Sequence, residues 1–167
     1  AINSGADAIY IGANEFGARK NAPNSLSDIE KLVNYAHKFY VLIHVVINTI
    51  LNDEELNQAI KLVKNLYNIG VDAIIIQDMG LLKAAIDGNL PPIAIHTSTQ
   101  CNTRTLEKAK FFDTLGVSRI ILARELSLSQ IDEICKNVSC EVESFIHGAL
   151  CVSYSGQCYL SFANGGR

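Results

Sequence analysis

The sequence predicts an α/β fold built on a parallel sheet, and three observations support this prediction. Short runs rich in β-branched residues alternate with segments of helical periodicity, which is the pattern of successive βα units. The runs are apolar throughout, so we expect helices to cover both faces of the sheet. No G-x-G-x-x-G motif follows any run, which disfavours an open dinucleotide-binding sheet. The predicted class is therefore a (β/α)8, TIM-barrel-like fold.

Six segments are predicted strands. They are, in chain order, Asp7–Gly12, Tyr40–Asn48, Asp72–Asp78, Pro92–Ser98, Ser118–Glu125 and Glu141–Gly148. A complete barrel has eight strands and about 250 residues. The chain has 167 residues. We therefore expect a single partial barrel domain over residues 1–167, with about six βα units, as a fragment of a longer protein.

Helix boundaries are marked by two kinds of local signal. Three pairs have capping-box spacing, in which a polar side chain precedes a glutamate or glutamine by three positions. They are Ser27 with Glu30, Asn52 with Glu55 and Ser127 with Gln130. Three glycines stand where a helix ends and a strand follows, a position that favours left-handed backbone. They are Gly5, Gly70 and Gly116. The repetition of this joint supports a regular βα succession.

Composition narrows the class of protein. Apolar residues make up 49% of the chain, charged residues 19%, and the net charge is −3. This is the composition of a globular domain, and no apolar run is long enough to predict membrane insertion. A negative net charge disfavours a free-standing nucleic-acid binder, although an RNA substrate held by a local basic patch is compatible with it.

Cysteine usage and the N-terminal segment together predict a cytoplasmic protein. The chain has five cysteines, and its first residues lack the basic start and apolar core of a secretion signal. In a reducing compartment, cysteines are buried, catalytic or metal-bound more often than paired as disulfides. From their positions, we expect Cys135 to lie in the core, Cys140 to be structural and Cys101 to be a plain loop cysteine.

Polar residues follow the predicted strands at the rim where barrel enzymes carry their chemistry. His96 lies at the end of the fourth strand, Gln100 follows that strand, and His147 lies at the end of the sixth. The two histidines are candidate catalytic residues, and Gln100 is a candidate substrate-binding residue.

Two arginines complete this rim. Arg19 follows the first strand, and Arg124 lies at the end of the fifth. A guanidinium binds carboxylate or phosphate in a bidentate manner. We expect Arg19 and Arg124 to bind substrate, in particular a small anionic ligand. The alternative is that they pair with Glu15 or Glu125 as structural support.

Cys151 and Cys158 have six residues between them in a Gly- and Ser-rich loop after the sixth strand. Structural zinc sites use closer spacings and a second pair of ligands. Iron–sulfur clusters usually need four thiolates. A Cys–His nucleophile formed by Cys151 with His147 or His96 is a further alternative. The residues alone define a thiol-based site at the barrel rim.

The segment ESFIHGALCVSYSGQCYLS resembles the signature of the collagenase-like peptidases, peptidase family U32. Ten residues match that signature: Glu143, Phe145, Gly148, Ala149, Leu150, Cys151, Gly156, Cys158, Leu160 and Ser161. The segments GADAIYIGANEFGAR, STQ and ILARELSL also resemble the family, so the similarity covers essentially the whole chain.

The resemblance implies several functions. Some members of this family are described as collagen-degrading. Others hydroxylate a tRNA wobble uridine or a ribosomal RNA cytidine, drawing on prephenate, and a pair of members hydroxylates the ubiquinone ring without oxygen. These hydroxylation proteins carry a 4Fe-4S cluster on four cysteines. Cys151 and Cys158 match the first two, and the other two lie beyond the point that corresponds to Arg167.

The resemblance therefore favours an iron–sulfur-dependent RNA hydroxylation enzyme, with prephenate as a possible cosubstrate. Two alternatives stay open. One is a peptidase that uses Cys151 or a metal. The other is a non-catalytic protein partner in a hydroxylating complex.

Overall fold

The computed structural model describes residues 1–17, 24–148, 151–159 and 163. The chain divides into two compact units, Ala1–Ala94 and Ile95–Gly165. Each unit contains parallel strands alternating with helices, and in each unit the strands follow one another in chain order. The predicted fold class is confirmed.

The first unit is built on β1 (Ala8–Gly12), β2 (Leu42–Ile47) and β3 (Ala73–Ile76). They pair in parallel, with Ile9 opposite Ile43 and Val45 opposite Ile74. The helices are α1 (Leu26–Ala36), α2 (Asp53–Ile69) and α3 (Met79–Ile86), with short 3-10 turns at Ile2–Ser4 and His37–Phe39.

The core of the first unit lies between the sheet and its helices. Alternate side chains of β2 are fully buried, and so are the apolar faces of α1 and α2, which pack on one another. These residues are Ile43, Val45 and Ile47 on β2, Ile29 and Val33 on α1, and Val63 and Leu66 on α2. Burial of such side chains contributes roughly 1.5–3 kcal/mol each, which makes this layer the main source of the unit's stability.

The second unit is built on β4 (Ala94–Thr97), of which only Ala94 falls in the first unit, with β5 (Arg119–Ile121) and β6 (Glu141–Glu143). These strands again pair in parallel. A 3-10 turn, Thr99–Cys101, follows β4. The helices are α4 (Leu106–Thr114) and α5 (Leu128–Asn137). The core consists of Phe112 from α4, Ile134 from α5, and Ile120, Ile121 and Leu122 at β5.

Local signals in the sequence mostly function as predicted. Capping boxes form at Asn52 with Glu55 and at Ser127 with Gln130. The first helix differs: its cap is Ser25 with Asp28, not Ser27 with Glu30. Both pairs have the same spacing, and the chain uses the earlier one, so α1 begins at Leu26.

Two further expectations are wrong. Cys135 is exposed on α5, because the neighbouring Ile134 takes the inward position. The sixth strand ends at Glu143, five residues before the predicted end, so Phe145 and Ile146 lie in an exposed segment after it.

Within the part of the chain that the structure describes, none of the helices combines the length and apolar character needed to span a membrane.

Candidate functional site: the cysteine loop

The cysteine loop, residues 151–159, belongs to the second unit and carries both predicted ligands. Cys151 is exposed and Cys158 is half-buried. The pKa of the Cys151 thiol is lowered from its usual value. The largest cause is the backbone N–H of Ser153, and the side chains of Cys158 and Arg124 contribute less. Cys158 is thus among the groups that favour the ionised form of Cys151. A lowered pKa favours the thiolate, which is the form that binds metal or attacks an electrophile.

Ser155 anchors the middle of the loop. It is 1% exposed, and its Oγ accepts a hydrogen bond from the Arg124 backbone N–H at 3.2 Å. Its own backbone N–H donates to Glu125 Oε1 at 2.7 Å. Burial acts to raise the pKa of Glu125, but the Ser155 hydrogen bond and the nearby Arg104 outweigh it, so this pKa is lowered. The carboxylate is therefore a stable acceptor at neutral pH.

The Arg124 side chain holds two loop carbonyls at once. Its Nη2 donates to the Ser153 carbonyl at 3.0 Å, and its Nη1 to the Cys151 carbonyl at 3.4 Å. Its Nε lies 3.4 Å from Ser155 Oγ. One guanidinium thus fixes the backbone that carries the first thiol.

Gly156 sits directly against the turn after β4. Its φ is +75°, and a Cβ at this position would overlap the carbonyl oxygen of Gln100 and lie 3.3 Å from Asn102 Cβ. Only glycine accommodates both the left-handed backbone and this approach. The loop is therefore seated on the Thr99–Cys101 turn.

Arg104 forms a second support. Its Nε donates to Asn102 Oδ1 at 2.5 Å, and its Nη2 lies 3.6 Å from Glu125 Oε1. Its guanidinium carbon is 4.6 Å from the centroid of the Tyr154 ring, a cation–π distance. Arg104 and Tyr154 were not predicted from the sequence, and neither was the role of Glu125 as a loop anchor. The one feature of the sequence that could have indicated Tyr154 is its position, as an aromatic residue between Cys151 and Cys158.

The predicted site residues divide into three groups. Gln100 and Arg124 contact the cysteine loop, as described above. His96 is buried at the end of β4, opposite Arg119 in register, and His147 is exposed beyond β6. Arg19 lies outside the described residues. The catalytic and substrate-binding roles of these residues stay predictions.

The described residues contain no group of three or more His, Cys, Asp or Glu side chains that could hold a metal ion. Cys101 and Cys140 do not resemble ligands, because burial raises the pKa of each thiol to about 12. For Cys140, the hydrogen bond and the charge of the neighbouring Asp113 contribute to this value in addition to burial. Within the described chain, the thiol site is thus the pair Cys151 and Cys158.

Comparison with known proteins identifies the family. The chain matches the model of Peptidase family U32 over residues 1–167, and it belongs to that family. It is 55% identical over 167 residues to the 23S rRNA 5-hydroxycytidine C2501 synthase of Escherichia coli K12, covering 100% of this chain and 25% of that protein. It is 37% identical over 163 residues to the tRNA hydroxylation protein P of the same organism, covering 96% of this chain and 36% of that protein.

A solved structure, that of the U32 peptidase Mk0906, shares the fold. The TM-score is 0.68 at 21% identity, and the match covers 83% of this chain and 60% of that one. The chain spans only a quarter to about a third of the length of the two curated relatives.

Proposed function

We propose that this chain is the part of an RNA hydroxylation enzyme that carries half of an iron–sulfur cluster site, and that the modified group is a pyrimidine base of ribosomal or transfer RNA. The observation that carries the proposal is the pair of free thiols, Cys151 and Cys158, on one loop that hydrogen bonds fix at several points. The names of the relatives support the reaction type and the RNA substrate. Such substrates imply a cytoplasmic enzyme.

The residues present fit half of a 4Fe-4S site. Thiolates are the ligands of such clusters, and an N–H directed at a ligand sulfur tunes the cluster's potential. The Ser153 backbone N–H lowers the pKa of the Cys151 thiol and so favours the thiolate form that binds iron. Two further ligands are required, and the resemblance implies that they come from other cysteines. When bound, the cluster supplies electron transfer.

The chain's own residues position the loop and set its charge. Arg124 and Glu125 hold the backbone on either side of Tyr154, which places both thiols on one supported segment. The two arginines at the loop, Arg104 and Arg124, outnumber the one carboxylate, Glu125. This excess of positive charge supports a small anionic cosubstrate, such as prephenate, and the RNA backbone as ligands.

The iron–sulfur proposal is tested on the complete protein purified without oxygen. Iron, sulfide and the electron paramagnetic resonance spectrum are measured for the wild type, Cys151→Ala, Cys158→Ala and, as a matched control, Cys135→Ala at the exposed cysteine of α5. The same variants are returned to a deletion strain, and hydroxylated nucleosides are quantified. We expect the first two substitutions to abolish the cluster and the RNA modification, and Cys135→Ala to preserve both.

Two results contradict the proposal in different ways. A wild-type protein without iron refutes the cluster assignment. A cluster-bearing protein whose deletion leaves RNA hydroxylation unchanged refutes the RNA substrate and directs attention to other acceptors or to a partner subunit's activity.

A second candidate function is peptide hydrolysis, favoured by the exposure and lowered pKa of Cys151. Cleavage of gelatin that disappears in Cys151→Ala and survives iron chelation identifies this activity. Absence of cleavage by pure protein excludes it.

A further inference from the structure

An exposed aromatic ring lies in the cysteine loop between the two thiols. Tyr154 is 60% exposed, although burial of a tyrosine ring is favourable. Arg104 supports it through the cation–π contact at 4.6 Å, which leaves most of the ring in solvent. An exposed aromatic ring at this position is available to pack against a ligand.

The backbone on both sides of this ring is fixed. The Ser153 carbonyl accepts from Arg124 Nη2 at 3.0 Å, and the Ser155 N–H donates to Glu125 Oε1 at 2.7 Å. Ser155 itself is buried. Tyr154 is therefore presented in a defined orientation, and little conformational entropy is lost when a ligand packs on the ring.

Arg104 is equally constrained. Its Nε bonds Asn102 Oδ1 and its Nη2 lies near Glu125, so the guanidinium stays in place beneath the ring. Arginine next to an exposed aromatic ring is a combination that recurs in sites for unpaired nucleotides, where the ring stacks on a base and the cation attracts phosphate.

We propose that Tyr154 is a stacking platform for the unpaired pyrimidine base that the enzyme modifies, with Arg104 as its support. The inference rests on the proposed function and adds the form of the substrate: a nucleotide out of its duplex stack. A base inside a helix has both faces covered and cannot stack on the ring, so it must be single-stranded or flipped. Tyr154 lies three residues after Cys151 and four before Cys158, so a base on this ring lies beside the thiol site.

The test uses the complete protein, prepared without oxygen, and a short single-stranded RNA that contains the target pyrimidine. Affinity is measured by fluorescence anisotropy, and hydroxylation kinetics give KM and kcat. The variants are Tyr154→Ala, Tyr154→Phe and the matched control Tyr67→Ala, since Tyr67 is an exposed tyrosine on α2.

We expect Tyr154→Ala to weaken RNA binding by roughly 5- to 150-fold, the range for loss of one base–aromatic stack. Tyr154→Phe keeps the ring and is expected to recover most of the affinity, and Tyr67→Ala to match the wild type. KM rises in Tyr154→Ala while iron content is unchanged, which separates base binding from a structural role in the loop. Should Tyr154→Ala lose iron, Tyr154→Leu supplies a side chain of larger volume without a π face and is expected to show the same loss of affinity.

Three results overturn the inference. If Tyr154→Ala binds RNA as tightly as the wild type does, Tyr154 is not a stacking platform. The same conclusion follows if a duplex of the same sequence binds as tightly as the single strand. Tyr154→Phe that is as weak as Tyr154→Ala assigns the effect to the hydroxyl group instead of the ring. If the wild-type protein neither binds nor modifies RNA, the proposed function itself fails, which is a distinct outcome from an active enzyme that is insensitive to Tyr154.

Discussion

Replacement of Gly156 by alanine tests whether the seating of the cysteine loop controls the thiol site. Gly156 has φ of +75° and lies against the Gln100 carbonyl, so Gly156→Ala introduces two separate costs. The left-handed backbone costs a non-glycine residue about 1–2 kcal/mol. The overlap adds to this, because the atom that the Cβ meets belongs to the backbone and cannot rotate away.

A total near 2 kcal/mol lowers the population of the seated loop by about 30-fold relative to the unseated loop. The assay is amide hydrogen exchange of residues 153–157, where the Ser155 N–H is protected by Glu125. We expect exchange at this amide to accelerate by a similar factor. Under the iron–sulfur proposal, we also expect anaerobically prepared protein to contain less iron.

Gly116→Ala is the matched control. Gly116 has φ of +79° and no atom within 4 Å of the position that a Cβ would occupy. This variant carries the backbone strain without the overlap and lies away from the cysteine loop in sequence. If Gly156→Ala leaves Ser155 exchange and iron content as in Gly116→Ala, the contact with Gln100 does not control the site and the reasoning is refuted.

Two further predictions concern carboxylates that organise the fold. In the second unit, hydrogen bonds from the Ser139 backbone and side chain lower the pKa of Asp113 from 3.8 to about 2. The ionised carboxylate therefore stabilises the folded state above pH 3.8, and this contribution to the free energy of unfolding is lost as the pH falls toward 2. Asp113→Asn should lower the melting temperature at pH 6 and flatten its decline between pH 4 and 2, and an unchanged acid limb in calorimetry would contradict this account. In the first unit, Asp78 caps α3 by accepting from the Leu81 N–H at 3.0 Å and also accepts from the Leu51 N–H at 3.1 Å. Asp78→Ala should destabilise the chain by about 1–2 kcal/mol in urea unfolding, and Asp78→Asn by less, because one acceptor oxygen remains.

The fold was largely predictable because its signals are local. Each strand is a β-branched run, and helix starts carry side chains that bond the backbone three residues on. These signals predict that a helix or strand exists more accurately than they predict the residues at which it begins and ends. The sixth strand illustrates this: Phe145 and Ile146 read as strand in the sequence, yet they are 52% and 97% exposed. An apolar residue does not show by itself whether an element is available to cover it.

The site was predictable only in part, because its contacts join residues that are distant in sequence. Glu125 and Ser155 are 30 positions apart. The sequence indicated a thiol pair through the spacing of Cys151 and Cys158. It indicated Arg124 only as a rim cation and did not specify that the loop carbonyls are its partners. The prediction that Cys135 lies in the core was wrong for a related reason. One helical step of about 100° separates Cys135 from the buried Ile134, and the sequence pattern alone does not define the edge of a buried helix face.

The support of the cysteine loop has a consequence for protein engineering. The groups that hold Ser155 and Gly156 lie between Thr99 and Glu125, in the same compact unit as the loop. A chimera that exchanges residues 95–165 with those of a family relative therefore transfers the loop with its supports as one block. A graft of residues 147–161 alone would meet foreign supports, so exchange of the loop between family members should succeed at the level of the whole unit.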